Sequence, residues 1–108
     1  MSGEIHVVAI ITPASGQEKR VGELLTNLAN NVKQNEKDVL KYHLFEQTNG
    51  KGTNVFVVEE IYSSQSAYDA HFKTDYFQAL GETIRNEGLL GAELDIKTIK
   101  PIGGFVSR

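Results

Sequence analysis

Residues 5 to 12, Ile5-His6-Val7-Val8-Ala9-Ile10-Ile11-Thr12, form a β-branched run closed by Pro13, a pattern that predicts a buried strand followed by a turn. Ser15-Gly16-Gln17-Glu18 then has the Ser-x-x-Glu spacing of a capping box, in which each side chain satisfies an unpaired backbone N–H at a helix start. Beyond it Val21, Leu24, Leu25, Leu28 and Val32 recur at steps of three and four, on one stripe, while Glu18, Lys19, Glu23, Asn27 and Asn30 face water. The spacing predicts a helix over Gly16 to Asn35. Leu40 to Thr48 and Asn54 to Tyr62 follow as antiparallel strands around the glycine-rich hairpin loop Asn49-Gly50-Lys51-Gly52-Thr53. Ser63 to Lys73 and Thr74 to Asn86 predict two short helices with a break near Lys73 to Asp75. A last strand is expected over Ala92 to Lys100, entered between Gly88 and Gly91 and ended by Pro101.

The order β-α-β-β-α-β implies an α+β, ferredoxin-like antiparallel sheet in the strand order 4-1-3-2, with its helices on one face. The first and third strands are then central and apolar on both faces. The first agrees, with Ile5, Val7, Ala9 and Ile11 on one side and His6, Val8 and Ile10 on the other, whereas the last strand carries Glu93, Asp95 and Lys97 as an edge strand can. With the more uniformly apolar set on each strand taken as helix-facing, Val55, Val57, Ile61, Leu40, Tyr42 and Leu44 point at the helices. Phe56, Val58, Glu60 and Tyr62 then share the opposite face with Lys41, His43, Phe45, Gln47 and His6. Aromatic walls, two histidines and a carboxylate are the composition of a small-molecule pocket. An apolar set on that face also calls for a cover, and a second copy packed sheet against sheet is the expected one, ahead of an apolar ligand groove on a monomer.

Composition narrows the chemistry. A chain of 108 residues with 40% hydrophobic and 23% charged residues has the size and balance of one globular domain, spanning 1–108. Its 11 Lys and Arg against 14 Asp and Glu are scattered, leaving no basic stripe for a phosphate backbone, so no nucleic-acid partner is expected. No apolar run approaches a membrane span and the first residues lack a signal-peptide pattern, so no membrane partner and a cytoplasmic location are expected. With Cys absent, disulfides, thiolate metal sites, Fe–S clusters and a cysteine nucleophile are excluded. The three histidines are not spaced as a metal site, Gly50-x-Gly52 is a hairpin rather than a dinucleotide loop, and neither metal nor cofactor is expected.

Glu60-x-Tyr62, then Ala67-Tyr68-x-x-His71, then Tyr76-Phe77-x-x-Leu80, resembles the antibiotic biosynthesis monooxygenase family, and the likeness extends over the whole chain. It implies a dimeric α+β barrel and, as in the cofactor-free oxygenases of that family, deprotonation of an aromatic or quinol-type small molecule whose anion reacts directly with O2. Tyr62 takes the position of the family's pocket aromatic, and Tyr68 matches a tyrosine on the following helix of some members. The expected catalytic set is His43, as general base because imidazole titrates near neutrality, with His71 and Tyr62. Phe56, Val58, Glu60, Tyr68, Phe45 and His6 are expected to bind substrate. His71, four residues from Ala67 and three from Tyr68, faces the sheet and either lines the pocket or bonds a buried group. Val58 departs from the asparagine that many of these oxygenases carry there. Haem-degrading relatives depend on a tryptophan and a first-strand asparagine, both missing here. An isomerase or proton-transfer enzyme on a small oxygenated metabolite, and a non-catalytic dimeric binding protein, are the alternatives.

Overall fold

The computed structural model describes residues 3–108. Its elements are β1 (Ile5–Ile11), α1 (Glu18–Asn35), β2 (Val39–Glu46), β3 (Phe56–Tyr62), α2 (Gln65–Phe72), α3 (Asp75–Glu87) and β4 (Asp95–Ile99). The four strands form one antiparallel sheet in the order β2-β3-β1-β4, which is the ferredoxin-like arrangement that the hydrophobic pattern predicts. The helix is amphipathic as expected: Val21, Leu25, Leu28 and Val32 are buried along α1. Leu25 and Val21 pack on Ala9, Ile11, Phe56 and Val58 to make the core between helix and sheet.

The start of α1 differs from expectation. Ser15 and Gly16 lie in a turn closed by the Gln17 N–H on the Ala14 carbonyl, so the helix begins at Glu18 with Gln17 as N-cap and no side-chain cap bond. The capping box is therefore not formed. The other two helices are capped by side chains: Ser64 Oγ accepts from the Ala67 N–H at 3.1 Å, and Thr74 Oγ1 from the Phe77 N–H at 3.3 Å. Ser64→Ala is expected to cost about 1 kcal/mol and Ser15→Ala less than about 0.5 kcal/mol in urea denaturation. Equal losses at the two serines would contradict this assignment of caps. Past α3, Gly88 adopts a left-handed φ of 61°, and a Cβ on Gly91 would stand 2.9 Å from the Pro13 carbonyl oxygen. The chain there closes on the end of β1 through a Pro13–Leu90 bridge.

Register and burial together decide the two faces. Val7, Glu60 and Tyr42 align across β1, β3 and β2, as do Ala9, Val58 and Leu44. Phe56, Val58, Glu60 and Tyr62 are all buried, whereas Val57 and Ile61 are half-buried and Glu59 is exposed. The expected faces of β3 are thus exchanged: Phe56, Val58, Glu60 and Tyr62 face the helices, and Val57 and Ile61 lie on the open face. The cause is Glu60. Its charge marks its set as the polar one, yet the Tyr62 hydroxyl donates to Glu60 Oε1 at 2.5 Å and lets the carboxyl be buried. On β2, Tyr42 and Leu44 face the helices as expected, but Leu40 lies at a register shift between Val39 and Lys41 and is 55% exposed.

Candidate functional site

Between the helix-facing side of the sheet and helices α1, α2 and α3 lies a cavity of about 210 Å³. Ala9, Ile11 and Val58 form its floor, Leu25 and Leu28 one wall, and Phe72, Phe77 and Leu80 another. These walls are apolar. The polar groups entering it are few: Tyr42, Glu60, His71 and, at the exposed end of α3, Arg85. An apolar enclosure with a small number of convergent polar groups is the usual form of a small-molecule site.

Glu60 is 6% exposed and stands at the centre of the sheet, between Val7 and Tyr42 in the register. Burial, the largest influence, pushes its carboxyl up to about 7; the hydrogen bond from Tyr62 works against that, and the nearby Glu36 carboxylate adds to it. Tyr62 occupies Oε1, so Oε2 is the oxygen available to carry a proton. Burial and then the Glu60 charge raise the Tyr62 and Tyr42 hydroxyls well above the usual phenol range, so both stay protonated as hydrogen-bond donors.

His71 is 2% exposed and sits in an aromatic collar, with ring centroids 5.0 Å from Phe77, 5.5 Å from Tyr42 and 5.6 Å from Tyr62. Its Nδ1 lies 2.9 and 3.1 Å from the two oxygens of Glu36, the residue that ends α1. The Tyr76 hydroxyl donates to the same carboxylate. His71 therefore lines the cavity and bonds a half-buried carboxylate rather than a fully buried group.

The expected site residues divide between the two faces of the sheet. His71, Glu60 and Val58 line the cavity, and Tyr62 stands directly behind Glu60. Phe56 is buried in the core against Gly22 of α1, outside this cavity. Tyr68 packs its ring 5.0 Å from Tyr62 and 5.0 Å from Phe72, supporting the wall from behind. His43, Phe45 and His6 lie on the open face, where His43 faces Glu59 in the register and stacks 4.2 Å from Phe45. The expectation that His43 shares a pocket with Glu60 and Tyr62 is corrected on this ground: the sheet separates them.

Sequence patterns alone miss Glu36 and Tyr42, and give no role to Tyr76. One signal points to Glu36: an acid at a helix C-terminus opposes the helix dipole and calls for another partner. Among the described residues no group of three His, Asp or Glu side chains is arranged to hold a metal ion, and no helix is long and apolar enough to cross a membrane.

The same architecture occurs in solved structures. A candidate antibiotic biosynthesis monooxygenase from Caulobacter crescentus CB15 is 28% identical, with 94% of this chain and 92% of that one covered at a TM-score of 0.82. A Pseudomonas aeruginosa protein at 24% identity (95% and 98% covered, TM-score 0.79) and a Mycobacterium tuberculosis protein at 20% (94% and 97%, TM-score 0.77) share the fold. No curated protein matches the chain. The sequence profile described as antibiotic biosynthesis monooxygenase matches residues 4–83, from the start of β1 into α3 and across Glu36, Glu60 and His71 alike, and the chain belongs to that family.

Proposed function

We propose that the protein is a cofactor-independent monooxygenase that oxidises an aromatic or quinol-type small molecule with O2 through a substrate anion. The observation that carries this reading is the pairing of His71 and Glu60 on the wall of one apolar cavity. A methylene flanked by aromatic rings illustrates the chemistry. His71 Nε2 takes a proton from the substrate, and the resulting anion passes an electron to O2. The radical pair combines to form a carbon–oxygen bond, and Glu60, whose carboxyl is held up to about 7 and so keeps a substantial protonated share at neutral pH, supplies a proton to the peroxide. Loss of the second carbon-bound proton and cleavage of the O–O bond leave one oxygen in a carbonyl and the other in water. All four electrons that reduce O2 come from the substrate, so no further reductant enters. The dry walls shield the anion and radical pair from solvent, and Arg85 at the rim offers the anion a counter-charge. A second copy of the chain is the proposed cover for the open face of the sheet.

The test is oxygen uptake by metal-free, flavin-free protein with a panel of anthrones and hydroquinones. Uptake above the uncatalysed rate is expected, and His71→Asn, which retains a group near Nδ1 but lacks Nε2, is expected to lower kcat by about 10²- to 10⁴-fold. No uptake across the panel would sink the oxygenase reading. Turnover that continues without oxygen would replace it by proton transfer, for which the same two groups suffice.

A further inference from the structure

We infer that Glu36 and Tyr76 are positioning residues that hold His71 as the Nδ1–H tautomer and so present the Nε2 lone pair to the cavity. Three separate parts of the chain meet to do this. Glu36 comes from the end of α1, where its own N–H is tied to the Val32 carbonyl, fixing the backbone that carries the carboxylate. His71 comes from the last turn of α2, and Thr74 Oγ1 donates to its carbonyl at 2.9 Å while capping α3. Tyr76 comes from the first turn of that helix.

The hydrogen-bond chemistry then puts a proton on Nδ1. Tyr76 donates to Glu36, and an ionised carboxylate only accepts, so the proton in the 2.9 Å contact belongs to His71 Nδ1. Nε2 makes no hydrogen bond among the described residues, yet no buried side-chain nitrogen or oxygen is left without a partner, so Nε2 is the ring atom that opens on the cavity. The neutral imidazole in this tautomer has its lone pair there. A carboxylate behind a histidine also stabilises the imidazolium that forms when Nε2 takes a proton. The polar groups around the ring are Glu36 from α1, Tyr76 from α3, Tyr42 from β2, and Tyr62 and Glu60 from β3. Among the described residues, only Glu36 is within hydrogen-bond distance of Nδ1.

The tautomer stands on geometry, whereas the use of Nε2 as a base rests on the proposed oxygenase reading, and the two are separable by experiment. Long-range proton–nitrogen correlation on ¹⁵N-labelled, ligand-free protein reports both nitrogens of each histidine, and with three histidines in the chain the His71→Asn spectrum identifies the signals of His71. Wild-type His71 is expected in the Nδ1–H form. Tyr76→Phe is expected to reduce the share of that form and Glu36→Leu to reduce it further, toward the Nε2–H form common in free imidazoles. An Nε2–H pattern in the wild type overturns the inference, as does a tautomer unchanged in a folded Glu36→Leu protein. If that variant does not fold, the wild-type spectrum decides. An Nδ1–H spectrum without oxygen uptake would uphold the tautomer and defeat the reaction, and uptake with an Nε2–H spectrum would do the reverse. Where both hold, Glu36→Leu is expected to lower kcat by about 10²- to 10⁴-fold, with KM nearly unchanged because Glu36 does not itself touch the substrate.

Discussion

Glu60→Gln is expected to make the protein more stable and nearly inactive. In the folded chain the carboxyl is pushed from 4.5 up to about 7, chiefly by burial. Between those values the folded state keeps a proton that the unfolded state has released. Stability therefore falls as pH rises from about 4.5 to about 7 and is level above that window. The gap corresponds to a penalty on the order of 3 kcal/mol at pH 8. Glutamine has nearly the same shape, accepts the Tyr62 hydrogen bond through its carbonyl and carries no charge. In urea denaturation at pH 8 the variant is expected to exceed the wild type by up to about 3 kcal/mol, with the difference shrinking as the pH approaches 4.5. A difference independent of pH, or a variant weaker at pH 8, would show that the buried carboxyl is not destabilising. Activity is expected to move the other way. The amide cannot deliver a proton to a peroxide, so kcat falls by about 10²- to 10⁴-fold. The decline of wild-type kcat above pH 7 that an acid of this kind produces also disappears.

A residue expected to cost stability and proposed to supply chemistry is also the one that misleads a sequence reading. The order of elements is legible because periodicity is local: α1 declares itself through Val21, Leu25, Leu28 and Val32, and the break between α2 and α3 through Lys73 to Asp75. Face assignment on β3 requires knowing whether a charge is solvated or paired. Glu60 is paired, by a tyrosine two residues away that a search for apolar sets counts only as an aromatic. His71 is legible from its spacing to Ala67 and Tyr68. Its partner is not, because Glu36 lies 35 residues before it and Tyr76 lies 40 residues after Glu36. Contacts of that span arise from how α1, α2 and α3 are laid over the sheet, which no local pattern encodes. His43 shows the converse. Imidazole chemistry and a strand position recommend it, and only the register with Glu59 places it on the side of the sheet away from the cavity.

The open face of that sheet leads to the second large effect: Val57→Asp is expected to convert the proposed two-copy assembly into single chains. Val57 lies on the central strand β3, flanked in the register by Ile10 of β1 and Phe45 of β2, with Val8 and Ile61 nearby on the same face. Phe45 is 40% exposed and Ile99, across from His6 on β4, is 52% exposed. Each large side chain of this kind gains about 1.5 to 3 kcal/mol when it is buried, so a second copy seated here draws its stability from this row. A carboxylate at its middle reverses the sign, because an unpaired charge taken out of water costs several kcal/mol. Sedimentation equilibrium is expected to show association weakened by at least about 10²-fold, equivalent to about 2.7 kcal/mol. Lys51→Asp in the exposed hairpin loop is expected to leave association unchanged. A Val57→Asp protein that still pairs would remove the open face as the interface. Because His71, Glu60 and the cavity lie on the other side of the sheet, the single chain keeps these proposed proton-transfer groups. Oxygen uptake by that single chain then separates two roles for the partner: covering an apolar face, if turnover persists, or completing the active enclosure, if it is lost.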